Sequence, residues 1–123
     1  MTDKEKATPT YEDEVLRILA FEFRSTDREE SERKIKRRLR DKKLGEYDQA
    51  RIDFLREVKQ HICHEVSYPK KSKYFTPQGG KYSDIKDFNT DLMARDLASM
   101  FPEVPKPVIE SFVPYAVYLY YLR

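Results

Sequence analysis

The sequence predicts a mainly α-helical protein, an irregular bundle of four to five helices with one long loop that contains proline and glycine. Three observations lead to this prediction. Apolar residues recur every three or four positions in most segments, which is the spacing of one helix face. Residues that cap helices stand directly before several of these segments. Only one short segment has the composition of a strand, and a lone strand is not stable.

The first predicted helix covers residues 11–24. Thr10 can cap it, and three acidic residues in the first turn suit the positive end of the helix dipole. The helical spacing then selects an apolar stripe that we expect to face the core. Its members are Val15, Leu16, Ile18, Leu19 and Phe23.

The second predicted helix, over residues 27–44, is mostly polar. A capping box opened by Thr26 predicts its start, and its apolar stripe is little more than Ile35 and Leu39. We expect Gly45 to end it, because glycine adopts the left-handed conformation that terminates many helices.

The third predicted helix, over residues 46–66, has the strongest amphipathic pattern, and residues 67–82 then form the long loop. A fourth helix is predicted over residues 84–101. The apolar face of the third comprises Tyr47, Ala50, Phe54, Leu55, Val58, Ile62 and Val66. That of the fourth comprises Ile85, Phe88, Leu92, Met93, Leu97 and Met100.

A final helix is predicted over residues 107–122, with a kink at Pro114, because proline lacks the N–H that the helix requires. The tyrosine-rich residues 115–122 could instead form a buried strand. We predict the kinked helix, since no other segment offers this strand a convincing partner.

The 123 residues suit one domain over residues 10–123, preceded by a flexible tail over residues 1–9. Cys63 is the only cysteine, which excludes an intramolecular disulfide and a multi-cysteine zinc site. The sequence has no apolar signal segment and no stretch that could span a bilayer. We therefore expect a cytoplasmic protein that does not contact membranes.

Two basic segments are candidates for binding nucleic acid or an acidic partner. Eight bases fall within residues 33–43, and the loop over residues 68–82 interleaves lysine with aromatic rings, a combination that suits nucleic acid. The candidate residues are Arg33, Lys36, Arg37, Arg40, Lys43, Lys70, Lys71, Lys73 and Tyr74. The same helix begins with acids at the spacing of internal ion pairs, which are Glu29 with Arg33, Glu30 with Lys34 and Glu32 with Lys36. These pairs favour a solvated, self-paired helix over a binding surface.

The C-terminal segment is dense in aromatic residues, and tyrosine is enriched at protein interfaces. A partner or self-association surface is therefore a candidate function, with simple core packing as the alternative. Its members are Phe112, Tyr115, Tyr118, Tyr120 and Tyr121.

A weaker candidate is a metal site, because Glu57, His61 and His64 fall on one helical face. The spacing differs from the zinc-protease motif, and a hydrogen-bonded histidine face is the alternative. The sequence indicates no cofactor, no small-molecule substrate and no set of catalytic residues. It favours a non-enzymatic binding or regulatory module that contacts another protein, with a homodimer as one form, and nucleic-acid binding or a metal-dependent enzyme as alternatives.

Overall fold

The structure is a computed structural model that describes residues 10–80 and 82–122. About 71% of these residues are helical, and they form five α-helices and no strand, which confirms the mainly α-helical prediction. The predicted tail over residues 1–9 lies outside the described residues. None of the helices in the described ranges is long and apolar enough to cross a membrane. The chain divides into two compact units, and the boundary between them along the sequence lies between Leu55 and Arg56.

The first unit contains α1 (Tyr11–Leu19) and α2 (Arg28–Asp41), which pack against each other, and the first turns of α3 (Gln49–Ser67). The predicted cap of α1 is present. The Thr10 hydroxyl accepts a hydrogen bond from the Asp13 N–H at 3.2 Å, and the Asp13 carboxylate accepts one from the Thr10 N–H at 3.0 Å. These bonds satisfy amides that a helix start leaves without partners.

Helix α1 ends five residues before the predicted boundary, so the placement of Phe23 on its buried stripe is wrong. Phe23 is 61% exposed. The carboxylate of Asp27 accepts hydrogen bonds from the N–H groups of Phe23 (3.1 Å) and Arg24 (3.0 Å). These bonds hold a 3₁₀ turn at Ser25–Asp27, directly before α2. Asp27, rather than the predicted Thr26, is the residue at the start of α2, and its side chain makes no capping bond to that helix.

Helix α2 ends at Asp41, and Lys43 has the left-handed conformation that terminates it. The prediction that Gly45 ends this helix is therefore also wrong. Lys43 has a φ of 54°. Its N–H bonds the carbonyl of Arg40 at 3.2 Å, and the N–H of Leu44 bonds the carbonyl of Leu39 at 3.0 Å. This is the Schellman pattern of hydrogen bonds, with lysine in the left-handed position that glycine usually fills.

Replacing Lys43 by glycine should therefore stabilise the protein by about 0.5–1 kcal/mol, because a side chain in the left-handed region is strained and glycine is not. Lys43→Ala is the matched control, since it removes the same charge and keeps the Cβ atom. Urea unfolding of the two variants measures the difference. A Lys43→Gly variant no more stable than Lys43→Ala would contradict the expectation.

Helix α3 buries a stripe that is only partly the predicted one. Five apolar side chains of α3 are buried, and one of them, Ile52, is not on the predicted face. Ala50, which is on that face, is exposed. Tyr47 precedes the helix, which begins at Gln49. The buried residues are Ile52, Leu55, Val58, Ile62 and Val66.

In the second unit, α4 (Thr90–Met100) begins later than predicted. Asp84 caps only one 3₁₀ turn, Ile85–Asp87, and Asn89 caps α4 by accepting a bond from the Leu92 N–H at 3.0 Å. Ile85, expected in the core, therefore lies outside α4 and is exposed. Met100, also expected in the core, is the last residue of α4 and is exposed too, whereas Phe88, Met93 and Leu97 are buried.

Helix α5 (Lys106–Val117) packs against α4 and continues as a π-helical segment, Tyr118–Leu122. The C-terminal segment is thus helical, as predicted, rather than a strand. Pro114 lies inside α5, and the N–H of Tyr118 bonds the carbonyls of Pro114 and Tyr115. The wider turn of the last residues follows this proline, which contributes no N–H to the helix.

Buried Asp87 fastens this C-terminal segment to the loop. Its carboxylate accepts hydrogen bonds from the Tyr121 hydroxyl (2.7 Å) and from the N–H groups of Gln78 (2.9 Å) and Asp84 (3.0 Å). The Tyr121 ring also contacts Phe88 edge-on, with 5.0 Å between centroids. The hydrogen bond from Tyr121, followed by those from the two amides, holds the pKa of Asp87 below its usual value.

Candidate functional site

The outer surface of α2 carries a continuous set of cations, here called the α2 basic face: Arg33, Lys34, Lys36, Arg37 and Arg40. All five are exposed. Ile35 and Leu39 are buried on the opposite side of the helix, and this burial fixes which face points outward. With Glu30, the α2 basic face lines a depression of about 390 Å³.

Internal ion pairs neutralise less of this face than the sequence predicts. The expected pair of Glu30 and Lys34 is present at 3.4 Å. Glu32, the expected partner of Lys36, is bound instead by Arg28 at 3.3 Å and by the Gln49 side chain at 3.0 Å. Competition from these two groups removes the acid that would have paired with Lys36.

Two arginines of the face are not neutralised by an acid of the described ranges. Among those residues, neither Arg33 nor Arg37 has a carboxylate at ion-pair distance. Within the same described ranges, the one carboxylate at ion-pair distance from Arg40 is that of its neighbour Asp41, at 3.8 Å, and both side chains are largely exposed. Such a surface pair contributes little, so the guanidinium groups remain available to an external anion.

Two other bases of the run have a structural role. Arg38 and Lys42 turn toward α1, where both pair with the buried carboxylate of Glu14, the Lys42 ammonium at 3.7 Å. A buried carboxylate needs such partners. Seven of the eight bases therefore divide into two that hold α2 on α1 and five that point outward, and the eighth, Lys43, lies in the turn that ends α2.

Tyr47 supports one cation of the face, a role that its place on the predicted apolar stripe did not suggest. The Lys36 ammonium lies 4.9 Å from the centre of the Tyr47 ring, and the Tyr47 hydroxyl donates to the Gln49 side chain at 3.0 Å. A cation over an aromatic face is attracted by the negative charge of that face. The contact joins α2 to the segment after Gly45, so no helical spacing could have revealed it.

The loop candidates separate into exposed and buried groups. Lys70 and Lys71 are exposed on a 3₁₀ turn. Lys73 pairs with Asp96 at 3.4 Å, and Tyr74, predicted on a surface, is instead buried, with its hydroxyl donating to Asp96 at 2.8 Å. Burial, together with this hydrogen bond, raises the pKa of Tyr74 to about 12. Tyr74 is therefore part of the core and cannot stack on a base.

The C-terminal aromatic candidates are mostly engaged within the fold. Phe112, predicted at an interface, is only 3% exposed and belongs to the core. Tyr121 is bonded to Asp87, and burial raises the pKa of Tyr120. Tyr115 is half-buried, and Tyr118, at 55% exposure, is the member that is largely open to solvent.

The structure does not bring the metal candidates together. The His61 ring packs edge-on against Phe101 at 5.9 Å, whereas the His64 ring lies against Tyr68 at 4.9 Å. Glu57 is exposed. Across residues 10–80 and 82–122, no three His, Cys, Asp or Glu side chains converge in a way that could hold a metal ion.

Comparison of the chain with protein-family models, with curated proteins and with solved structures gives no match. The α2 basic face is consequently interpreted from its own chemistry.

Proposed function

We propose that this protein is a non-enzymatic binding module that contacts nucleic acid through the α2 basic face. One observation carries the proposal: Arg33, Lys36, Arg37 and Arg40 point outward from one helix while Glu32, the acid expected to pair with Lys36, is bound elsewhere. Guanidinium groups bind phosphate with two parallel hydrogen bonds, and neutralised phosphates release counterions into solution.

The local charge is the reason to expect a polyanion. The chain as a whole carries only +2, so its overall field attracts nucleic acid weakly. A contact must therefore depend on a patch, and the α2 basic face concentrates five cations within two helical turns, with Glu30 and Asp41 at its ends. The face contains no nucleophile and no acid–base pair, which favours binding over catalysis.

A protein partner or a homodimer, which the sequence favours, is our second proposal. Its support in the structure is Tyr118, which is exposed on the C-terminal segment. Phe112 and Tyr121 are committed to the fold, so the surface available for this contact is smaller than the sequence suggests. Light scattering on the purified protein tests self-association directly.

The nucleic-acid proposal predicts that Arg33→Gln/Arg37→Gln/Arg40→Gln binds at least about tenfold more weakly at low salt. The slope of log affinity against log salt should fall by about one unit for each phosphate that the variant no longer neutralises, hence by about three. Fluorescence anisotropy with labelled nucleic acid between about 50 and 200 mM salt measures both quantities.

A matched control removes three cations from elsewhere: Lys86→Gln/Arg95→Gln/Lys106→Gln, all exposed positions of the second unit. It should retain most of the affinity and the slope. Equal losses in the two triple variants, no binding at low salt, or equally tight binding of polyglutamate would overturn the proposal, the last by indicating an acidic protein partner. Circular dichroism should show unchanged helicity, since glutamine is a good helix former.

A further inference from the structure

We infer that the nucleic acid bound by the α2 basic face is a duplex, contacted through its phosphates and without preference for base sequence. The inference rests on the proposed function and specifies its ligand. Three features of the outer face of α2 support it. The face presents charged side chains, it lacks the other groups that read or stack on bases, and its cations have a fixed spacing.

The exposed side chains between Glu30 and Asp41 are all charged. Ser31 is the one hydroxyl of this stretch, and it is buried on the opposite side. In the major groove, arginine or lysine reads guanine, asparagine or glutamine reads adenine, and aspartate or glutamate reads cytosine. The outer face of α2 has no side-chain amide or hydroxyl group, so a contact with guanine is the main form of base reading open to it. A face made of arginine and lysine supplies phosphate contacts, which position a protein on a duplex but carry no sequence information.

The α2 basic face also lacks an open ring for stacking. Proteins that hold single strands combine cations with aromatic rings on which the bases stack. The ring beside this face is Tyr47, and the Lys36 ammonium covers it at 4.9 Å. A single strand would therefore gain charge contacts here without the stacking energy that normally accompanies them.

Two phenylalanines of the first unit are exposed, but they lie near the acidic N-terminal end of α2 and not beside the cations. Phe21 and Phe23 precede the helix and are followed by Asp27, Glu29 and Glu30. A strand that stacked on these rings would approach the acidic first turn before it reached Arg33, and that repulsion disfavours the path.

The fixed spacing of the cations along α2 suits a regular array of phosphates. Arg33 and Arg40 are seven residues apart, which corresponds to about 10 Å along a helix axis. A duplex carries its charges at a higher linear density than a single strand and holds them in fixed positions. The backbone of α2 is fastened through Arg38 and Lys42 to Glu14, so the cations keep their spacing along the helix axis and the backbone need not rearrange on binding such a surface.

The test compares one labelled sequence as a DNA duplex, an RNA duplex and a single strand, together with duplexes of scrambled and A·T-only sequence. The full-length protein should bind both duplexes at least about fivefold more tightly than the single strand, and all DNA duplexes within about twofold of one another. The counterion contribution per contact is also greater for a duplex, which favours this order. The Arg33→Gln/Arg37→Gln/Arg40→Gln variant should lose this duplex preference.

The outcomes separate the two proposals. Tighter binding of the single strand that still depends on Arg33, Arg37 and Arg40 would overturn the duplex inference and leave nucleic-acid binding standing. Loss of that binding in Phe21→Ala/Phe23→Ala would identify the rings as the stacking surface and overturn it as well. Binding that requires guanine would contradict sequence independence, and no binding to any nucleic acid would remove both proposals.

Discussion

Replacing Ile35 by alanine should lower the free energy of unfolding by about 2–5 kcal/mol, the usual cost of truncating a large buried aliphatic side chain. Ile35 is 0% exposed, and with Leu39 it is one of the two large apolar side chains that α2 buries. A helix with so narrow an apolar stripe has little other burial to hold it in place. Because small domains are stable by only about 5–15 kcal/mol, this loss is a large share of the total.

The chain offers the same substitution at an exposed site as a control. Ile85 was expected in the core on the same reasoning as Ile35, but it is 38% exposed. Ile85→Ala should cost about 1 kcal/mol or less, clearly below the cost of Ile35→Ala, because part of the Ile85 side chain already faces solvent. Urea unfolding followed by circular dichroism distinguishes the two variants, and similar midpoints for both would contradict the structure at α2.

Four tyrosines should resist ionisation until the protein unfolds in alkali. Burial raises the pKa of Tyr11, Tyr74, Tyr120 and Tyr121, and hydrogen bonds to Asp96 and Asp87 add to the effect for Tyr74 and Tyr121. The chain has no tryptophan, so near-ultraviolet absorbance reports phenolate formation cleanly. A titration should therefore show a late, cooperative step that contains these four groups.

The tyrosines and the aspartates contribute to stability over different ranges of pH. A tyrosine whose pKa is raised in the folded state stabilises it fully below the unfolded value near 10, and this stabilisation is lost as pH rises, for Tyr74 toward about 12. Asp87 and Asp96 have lowered pKa values, so their stabilisation is present above about pH 4 and lost as pH falls.

The same two hydrogen bonds can be removed together. Tyr74→Phe/Tyr121→Phe should halve the late alkaline amplitude and bring the acid transition to higher pH, because Asp96 and Asp87 lose their phenolic donors. Tyr118→Phe/Tyr68→Phe, at two exposed positions, is the control and should leave both transitions in place. A smooth, non-cooperative ionisation of all tyrosines in the wild type would contradict the burial described here.

The helices could be predicted from the sequence because their evidence is local. The spacing of Val15, Leu16 and Leu19 and the cap at Thr10 lie within one or two turns, and both are present in the structure. The errors occurred where a local pattern competed with another bond. Phe23 fits the apolar spacing of α1, but its N–H donates a hydrogen bond to the Asp27 carboxylate, and Phe23 lies outside the helix.

The candidate site was predicted in its composition but not in its organisation. The basic run is plain in the sequence, yet its division depends on Glu14, which is 24 residues from Arg38, and on Gln49, which is 17 residues from Glu32. The burial of Tyr74 likewise depends on Asp96, 22 residues away. Contacts at such separations leave no periodic trace, so the sequence could not tell anchoring cations from outward ones.

The two ion pairs at Glu14 give α2 an attachment that does not involve its outward cations. Substitutions at Arg33, Arg37 and Arg40 can therefore change the charge of the outer surface while leaving the packing of α2 on α1 intact. The outward cations could then be substituted one at a time, in evolution or by design, without a compensating change elsewhere in the fold.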